Sequence, residues 1–316
     1  MGEQSKTIGE IGENITGNFF DLIGWNHTLP NESLGCLKPQ KHARKESKKG
    51  KRETHGIDYL YSYRSPLESN TINNIIISVK NTNDPYPNNP VSKFKDHIKD
   101  LAQTIECFNG SPIKSAQLKK FKHYRKTGDI GVIFWLSQSD DTYHDVVAKL
   151  ENCRLDSNLK YGAIYVVDNQ RIEFIFQVVN HLKLEFSDHQ ILFYYPDTSM
   201  NYADNEIVQY GESLPVEYIN SPIIPFLLKL GKGQIDTFCI AVSDNFDEEE
   251  MPELIQAARK YTNDITCNYL FLFPNYVRAK HHKSVINAVN SFENEIENDV
   301  TAMSYKPDYR SLNNAG

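Results

Sequence analysis

Two strand-like stretches within the first 80 residues limit what this chain can fold into more than any other feature. Gly56-Ile57-Asp58-Tyr59-Leu60-Tyr61-Ser62-Tyr63 alternates and is aromatic-rich, while Asn74-Ile75-Ile76-Ile77-Ser78-Val79-Lys80 is β-branched. If the two pair as a hairpin, Asp58 and Ser78 lie close together at adjacent strand ends. Alternation then puts Ser78 and Lys80 on one face and turns Val79 into the core. An acid and a lysine converging on one patch suit metal-assisted phosphodiester hydrolysis. The carboxylate would hold Mg²⁺ (or Mn²⁺) to neutralise charge developing on phosphate, and the lysine would orient or polarise the attacking water.

The surrounding pattern is that of an α/β protein. Ile8, Ile11, Ile15, Phe19, Leu22 and Ile23 recur at three- and four-residue steps and predict an amphipathic helix over about 8–23. Residues 26–55 are polar, carry eight Lys/Arg between Lys38 and Arg52, and read as one long loop. After the strand pair come a helix over about 92–108, a buried strand at 129–136, a helix over 142–152, and strands near 161–167, 172–178 and 190–195. Past residue 200 the alternation restarts, with strands at 236–242 and 268–273 and helices at 248–261 and 282–296. The segment 204–232, with Pro215, Pro222 and Pro225, reads as a boundary or docking stretch. Two modules are therefore expected, over 1–200 and 201–316.

The net charge of −7 argues against a polyanion ligand only until it is divided by position. Residues 201–316 hold 9 Lys+Arg against 17 Asp+Glu, a net of −8, whereas residues 38–126 hold 19 against 8, a net of +11. A basic surface on one module and a different task for the other is the reading. The basic loop supplies Lys41, Arg44, Lys45, Lys48, Lys49, Lys51 and Arg52 as candidate phosphate contacts. A second cluster, Lys119, Lys120, Lys122, Arg125 and Lys126, interleaves with Phe121, His123 and Tyr124.

A helix, then Gly-x-Asp on a strand, then a second strand ending in x-Val-Lys, resembles the PD-(D/E)XK nuclease superfamily. Gly12-Glu13-Asn14-Ile15, with Phe19, Phe20, Gly24 and Trp25 downstream, is similar to the first helix of its Holliday-junction-resolvase-like and restriction-type members. The resemblance spans roughly residues 8–180. It implies an endonuclease-like α/β core, a mixed sheet flanked by helices, with a second, smaller α/β module behind it. It also implies Asp58, Glu13 and a backbone carbonyl near Val79 as metal ligands, Lys80 as the residue that positions water, and Ser78 as a weak or water-mediated contact. Glu10, three residues before Glu13, is a second candidate for the helix carboxylate. Gln103 resembles a DNA-facing glutamine of some members, although a solvated polar position is the preferred reading there.

Two positions depart from the family pattern. Ile57-Asp58 replaces Pro-Asp, and Ser78 stands where the family carries an acid. Serine is a poor ligand for a hard cation. The expected function is a metal-dependent DNA endonuclease resembling the nuclease subunits of two-gene bacterial anti-phage systems, with a protein partner encoded alongside and an oligomeric assembly. The alternatives are a catalytically impaired DNA-binding or scaffold subunit of the same fold, and an RNA-directed nuclease.

Weaker signals are set aside. Cys36, His42 and His55 are possible zinc ligands, but three ligands at irregular spacing match no paired motif. The five cysteines are scattered, odd in number and without a CxxC pair, which reads as reduced thiols in a cytoplasmic protein. No apolar run approaches the length of a membrane helix, and no secretory signal is legible.

Overall fold

The computed structural model of the chain describes residues 2–43, 50–139, 145–201, 208–231, 234–262, 267–292 and 299–307. The chain divides into two compact units, Met1–Ile172 and Glu173–Gly316. A cut at residue 200 gives nets of +1 and −8, and moving it to this boundary widens the asymmetry. The first unit carries 24 Lys+Arg against 20 Asp+Glu and the second 10 against 21, so the nets are +4 and −11.

The first unit is a five-stranded mixed sheet in the order β1-β2-β3-β4-β5. Helix α1 (Gly2–Leu22) leads into β1 (Leu29–Gly35), β2 (Thr54–Arg64) and β3 (Thr71–Thr82). Helices α2 (Val91–Phe108) and α3 (Pro112–Leu118) then precede β4 (Lys126–Ser137) and β5 (Ala163–Val167). Strands β1, β2 and β3 are antiparallel neighbours, while β4 and β5 run parallel to β3. The hairpin expected for the motif strands is therefore present, and β3 is central. Strand β1 lies inside the stretch read as a continuous loop, because Leu29–Gly35 has too few apolar residues to announce a strand. The 142–152 helix is replaced, where described, by a 3₁₀ turn at Ala148–Leu150.

The sheet is covered on both faces, and strand alternation assigns each residue to one of them. Phe134 packs edge-on against Phe19 and Phe20 of α1. Its neighbours Ile133 and Trp135 join a core with Ile76, Ile98, Leu101 and Ile105 on the α2 side. Burying this apolar surface at about 25 cal/mol per Å² is the main favourable term holding the helices to the sheet. The buried stripe of α1 is not the expected one. Gly12, Thr16, Phe19, Phe20 and Ile23 face inward, while Ile11 and Ile15 are 41% and 37% exposed.

Helix α4 (Asn169–Glu185) occupies the stretch read as a strand at 172–178. Its aromatic and β-branched residues equally fit a helix, since Ile175, Val178, Val179 and Leu182 are buried at helical spacing. The second unit is a six-stranded sheet in the order β11-β10-β9-β8-β6-β7. Its strands are β6 (Gln190–Tyr194), β7 (Tyr210–Gly211), β8 (Ile223–Lys229), β9 (Thr237–Val242), β10 (Asn268–Phe273) and β11 (Val300–Ser304), with α5 (Met251–Thr262) and α6 (Arg278–Asn290) between them. Strand β6, set before residue 200 by the sequence reading, pairs with β8 and so belongs to the second sheet. The 204–232 segment contains β8, in which Pro225 sits opposite Ile240 of β9. No helix among the described residues is long and apolar enough to cross a membrane.

Candidate active site

Strands β2 and β3 part at Asp58. Their ladder runs from Arg64↔Ile72 to Tyr59↔Ile77 and ends there; continued by one residue it would set Asp58 opposite Ser78. Beyond that point the Val79 N–H, which would otherwise seek a partner on β2, donates to Asp58 Oδ2 at 2.6 Å. A carboxylate accepting a backbone N–H makes a short, charge-assisted bond, and Oδ1 is left pointing elsewhere. Because the N–H and C=O of one strand residue face the same edge, the Val79 carbonyl is directed to the same opening.

The local backbone re-aims Asp58 as well. His55 and Ile57 face the α2 side, yet Tyr59 meets Phe20 and Tyr61 stacks on Trp25 on the α1 side. Side-chain alternation therefore changes phase at Asp58. Opposite it on β1, Asn31 adopts φ +55, a left-handed conformation that asparagine tolerates better than most residues.

Glu13 reaches this point because α1 lies very close to β3. A Cβ on Gly12 would stand 2.4 Å from Asn81 Cβ, so only glycine permits the approach. Asn81 Nδ2 donates to the Ile8 carbonyl at 2.7 Å, and Tyr59 donates its hydroxyl to the Glu13 carbonyl at 2.9 Å. The Gly-Glu pair is thus a docking residue followed by a carboxylate. Burial pushes the Glu13 carboxyl up from its ordinary value, and the Asp58 and Glu10 charges add to that. Burial, then the Glu13 and Asp58 charges, raise the Tyr59 phenol. Glu10 is exposed and pairs with Lys6, 3.7 Å away, so Glu13 is the carboxylate of α1 that is half-buried on this site.

Ser78 and Lys80 are half-buried, and both follow Ile76 on the α2 side of the sheet. Lys80 is paired with β4 opposite Trp135, so it is not an edge-strand lysine. Burial and, next, the Lys80 charge hold the His97 imidazole of α2 down at about 4. Among the described residues Lys80, Glu13 and Asp58 form no ion pair. Two mutually repelling carboxylates and a carbonyl at one opening are a hard-oxygen donor set, which suits a divalent cation.

A family model described as the GAPS4 protein PD-(D/E)XK nuclease domain matches residues 1–171, more than half of the chain and one residue short of the whole first unit. The chain belongs to that family. Comparison with curated proteins and with solved structures gives no match. The first unit is accordingly the PD-(D/E)XK nuclease domain, and its mixed sheet flanked by helices is consistent with that core. Nucleases of this kind generally use divalent metals.

The candidate phosphate contacts among the described residues divide three ways. Lys119, Lys120, Lys122, Arg125 and Lys126 are exposed after α3, with Lys126 paired to Glu68. Lys41 and Lys51 are exposed but engaged, Lys41 with Glu106 at 3.3 Å and Lys51 with Glu53 at 3.5 Å. Arg52 departs from the expectation. It is 8% exposed and bonded to Asp100 and the Thr54 carbonyl, so it braces β2 against α2 and does not face a ligand. Arg44, Lys45, Lys48 and Lys49 lie outside the described residues. Gln103 is buried at 8% exposure, not solvated.

Sequence reasoning also missed the company kept by Cys36, His42 and His55. Cys107 of α2 joins them, each offering a ligand atom within 4.8 Å of the others. Its signal was absent locally, since it lies 52 residues beyond His55 on a different kind of element. Beside it, burial pushes the Glu106 carboxyl up, but hydrogen bonds from Lys38, His42 and Lys41 outweigh this and hold it down at about 2.

Proposed function

We propose that this nuclease-domain protein is a divalent-metal-dependent DNA endonuclease, working with Mg²⁺ or Mn²⁺, and that it acts in bacterial anti-phage defence with a protein partner. The observation that supports this best is the pair of carboxylates, Glu13 and Asp58, without an ion pair among the described residues, at the opening where β2 and β3 part. Glu13, Asp58 and the Val79 carbonyl would hold the ion, which supplies charge neutralisation at the phosphate and a lowered pKa for bound water. Asp58 keeps its orientation through the Val79 N–H. Lys80, projecting from a rigid central strand, is suited to hold the attacking water and to offset negative charge at the scissile phosphate. The exposed cluster from Lys119 to Lys126 supplies sequence-independent contacts to the phosphate backbone. The acidic second unit, at −11, is suited to assembly with the partner, or with further copies of this chain, because it would repel nucleic acid.

Ser78 favours a second reading, a nuclease-fold subunit that binds DNA and cleaves poorly or not at all. Plasmid DNA, single-stranded DNA and RNA incubated with the full chain and Mg²⁺ or Mn²⁺ decide between these. Cleavage lost in Asp58→Asn and Lys80→Ala supports the endonuclease; cleavage indifferent to both substitutions sinks it. A preference for RNA would move the substrate class. Binding without cleavage, with activity gained by Ser78→Asp, favours the impaired subunit.

A further inference from the structure

Four soft-ligand side chains converge where the basic loop leaves the sheet, away from the carboxylates of the active site. Cys36 directly follows β1, His42 lies in the loop, His55 is the second residue of β2, and Cys107 is in the last turn of α2. His42, His55 and Cys107 are at most 1% exposed, and Cys36 is half-buried.

Four of the six separations lie close to the edges of a tetrahedron, and the two from His55 to the sulfurs are within 4.8 Å. His42 Nδ1 lies 3.4 Å from Cys36 Sγ, 3.4 Å from Cys107 Sγ and 3.3 Å from His55 Nε2, and the two sulfurs are 4.0 Å apart. Zinc with bonds of about 2.3 Å to sulfur and about 2.05 Å to nitrogen requires tetrahedral edges of roughly 3.6 Å for S–N, 3.3 Å for N–N and 3.8 Å for S–S. A sulfur separation of 4.0 Å is also far beyond the roughly 2.05 Å of a disulfide bond.

The outer hydrogen bonds fix which ring nitrogens face inward. His42 Nε2 lies 2.9 Å from Glu106 Oε2, and a carboxylate only accepts, so the His42 hydrogen points outward. The Thr104 hydroxyl spends its hydrogen on the Asp100 carbonyl at 2.8 Å, so at 3.3 Å it accepts from His55 Nδ1. Both imidazoles therefore turn lone pairs toward each other and toward the two sulfurs. A cation among them converts that repulsion into four bonds. Carboxylate and hydroxyl acceptors behind ligating histidines are the usual outer support of such sites, and the Leu37 N–H adds a donor to Cys107 Sγ at 3.3 Å.

We propose that Cys36, His42, His55 and Cys107 form a structural zinc site that fastens the ends of the Lys38–Arg52 segment to α2. Four protein ligands fill the coordination shell, leaving no position for substrate, and an S₂N₂ tetrahedron selects zinc over magnesium. The site holds β2 three residues from Asp58 and fixes where the basic segment emerges. It does not rest on the nuclease reading.

Elemental analysis of the full chain, purified without chelator, tests this. About one zinc per chain is expected in the wild type and in Asp58→Asn, falling to near zero in Cys36→Ser and Cys107→Ser. As a measurement independent of the variants' folding, the zinc-depleted, reduced wild type titrated with Co²⁺ should show sulfur-to-cobalt charge transfer and the intense visible bands of a tetrahedral ion. Wild type that neither retains zinc nor gives the cobalt spectrum overturns the proposal. So does zinc that survives both cysteine substitutions, or that leaves with Asp58→Asn, because the ion would then belong to another site.

Discussion

Strand β2 carries a residue of each of two sites built on opposite plans. Around Asp58 the charges are half-buried and uncompensated: Glu13 and Asp58 repel one another, and Lys80 has no ion pair among the described residues. Around His55 the side chains are buried, apart from half-buried Cys36, and matched, with each ring nitrogen and each sulfur assigned a neighbour. A site that must admit substrate leaves open coordination positions and unspent charge, and the fold tolerates the resulting strain. A site that only holds the chain together closes its shell.

That contrast breaks most decisively at Cys107. Metal binding to a preformed site adds directly to folding free energy, and loss of a structural metal belongs among the largest single-residue effects. Cys107→Ser should therefore lower stability by more than about 4 kcal/mol, seen as a lower denaturant midpoint that added zinc no longer raises. Below its melting temperature the variant should still cleave DNA. A variant of unchanged stability would erase the distinction between the two sites.

Asp58→Asn is the converse substitution. It keeps an acceptor for the Val79 N–H while removing the charge. Several kcal/mol of transition-state stabilisation, at about 1.4 kcal/mol per tenfold, correspond to a loss of roughly 10³-fold in kcat/KM. Stability in chelator should change by no more than about 1 kcal/mol, or rise, because a repelling charge beside Glu13 is gone. A large loss of stability with little change in rate would make Asp58 a structural residue.

Gly12→Ala probes how the open site is assembled. Its added methyl would sit 2.4 Å from Asn81 Cβ, so α1 must move off β3. Overpacking of this kind costs about 1–3 kcal/mol, and displacing a ligand by an ångström costs roughly 100-fold in rate. Cleavage should fall by about that factor, with the metal concentration for half-maximal activity raised and zinc content unchanged. Asn81→Gly in the same chain, which removes the colliding Cβ, should restore part of the rate.

How much of this was legible in the sequence follows the same division. Asp58, Ser78 and Lys80 stand on two strands joined by a short connection, so period-two alternation and hairpin pairing place them without knowledge of the rest. Glu13 was legible as a residue, but the reason for Gly12 was not, since the buried stripe of α1 is turned away from Ile11 and Ile15. The phase change at Asp58 was hidden because it lies opposite Asn31, whose φ is +55, in a strand with too little apolar pattern to be recognised. Cys36, His42 and His55 were legible as possible zinc ligands, but the fourth, Cys107, was not, because its proximity arises from β1, β2 and the far end of α2 meeting in space. Strand 172–178 was misread because a short stretch of aromatic and β-branched residues fits either period, and burial at Ile175, Val178, Val179 and Leu182 decided for the helix.

The smallest effect tests the placement of Lys80 itself. His97 is held at about 4 by burial and then by the Lys80 charge, against an ordinary value of 6.5. Its folded value lies below its unfolded one, so as the pH falls the unfolded chain takes up the proton first. The associated stability is fully present above about 6.5 and is lost progressively as the pH drops toward about 4. Lys80→Met removes one of the charges that disfavour the imidazolium. The His97 titration, followed by the NMR of its ring protons, should move up toward 6.5 without reaching it, because burial, the larger cause, remains. The acid loss of stability should shrink in step. A titration that does not move would mean that Lys80 points away from α2, and the assignment of Ser78 and Lys80 to one face of the central strand would fall with it.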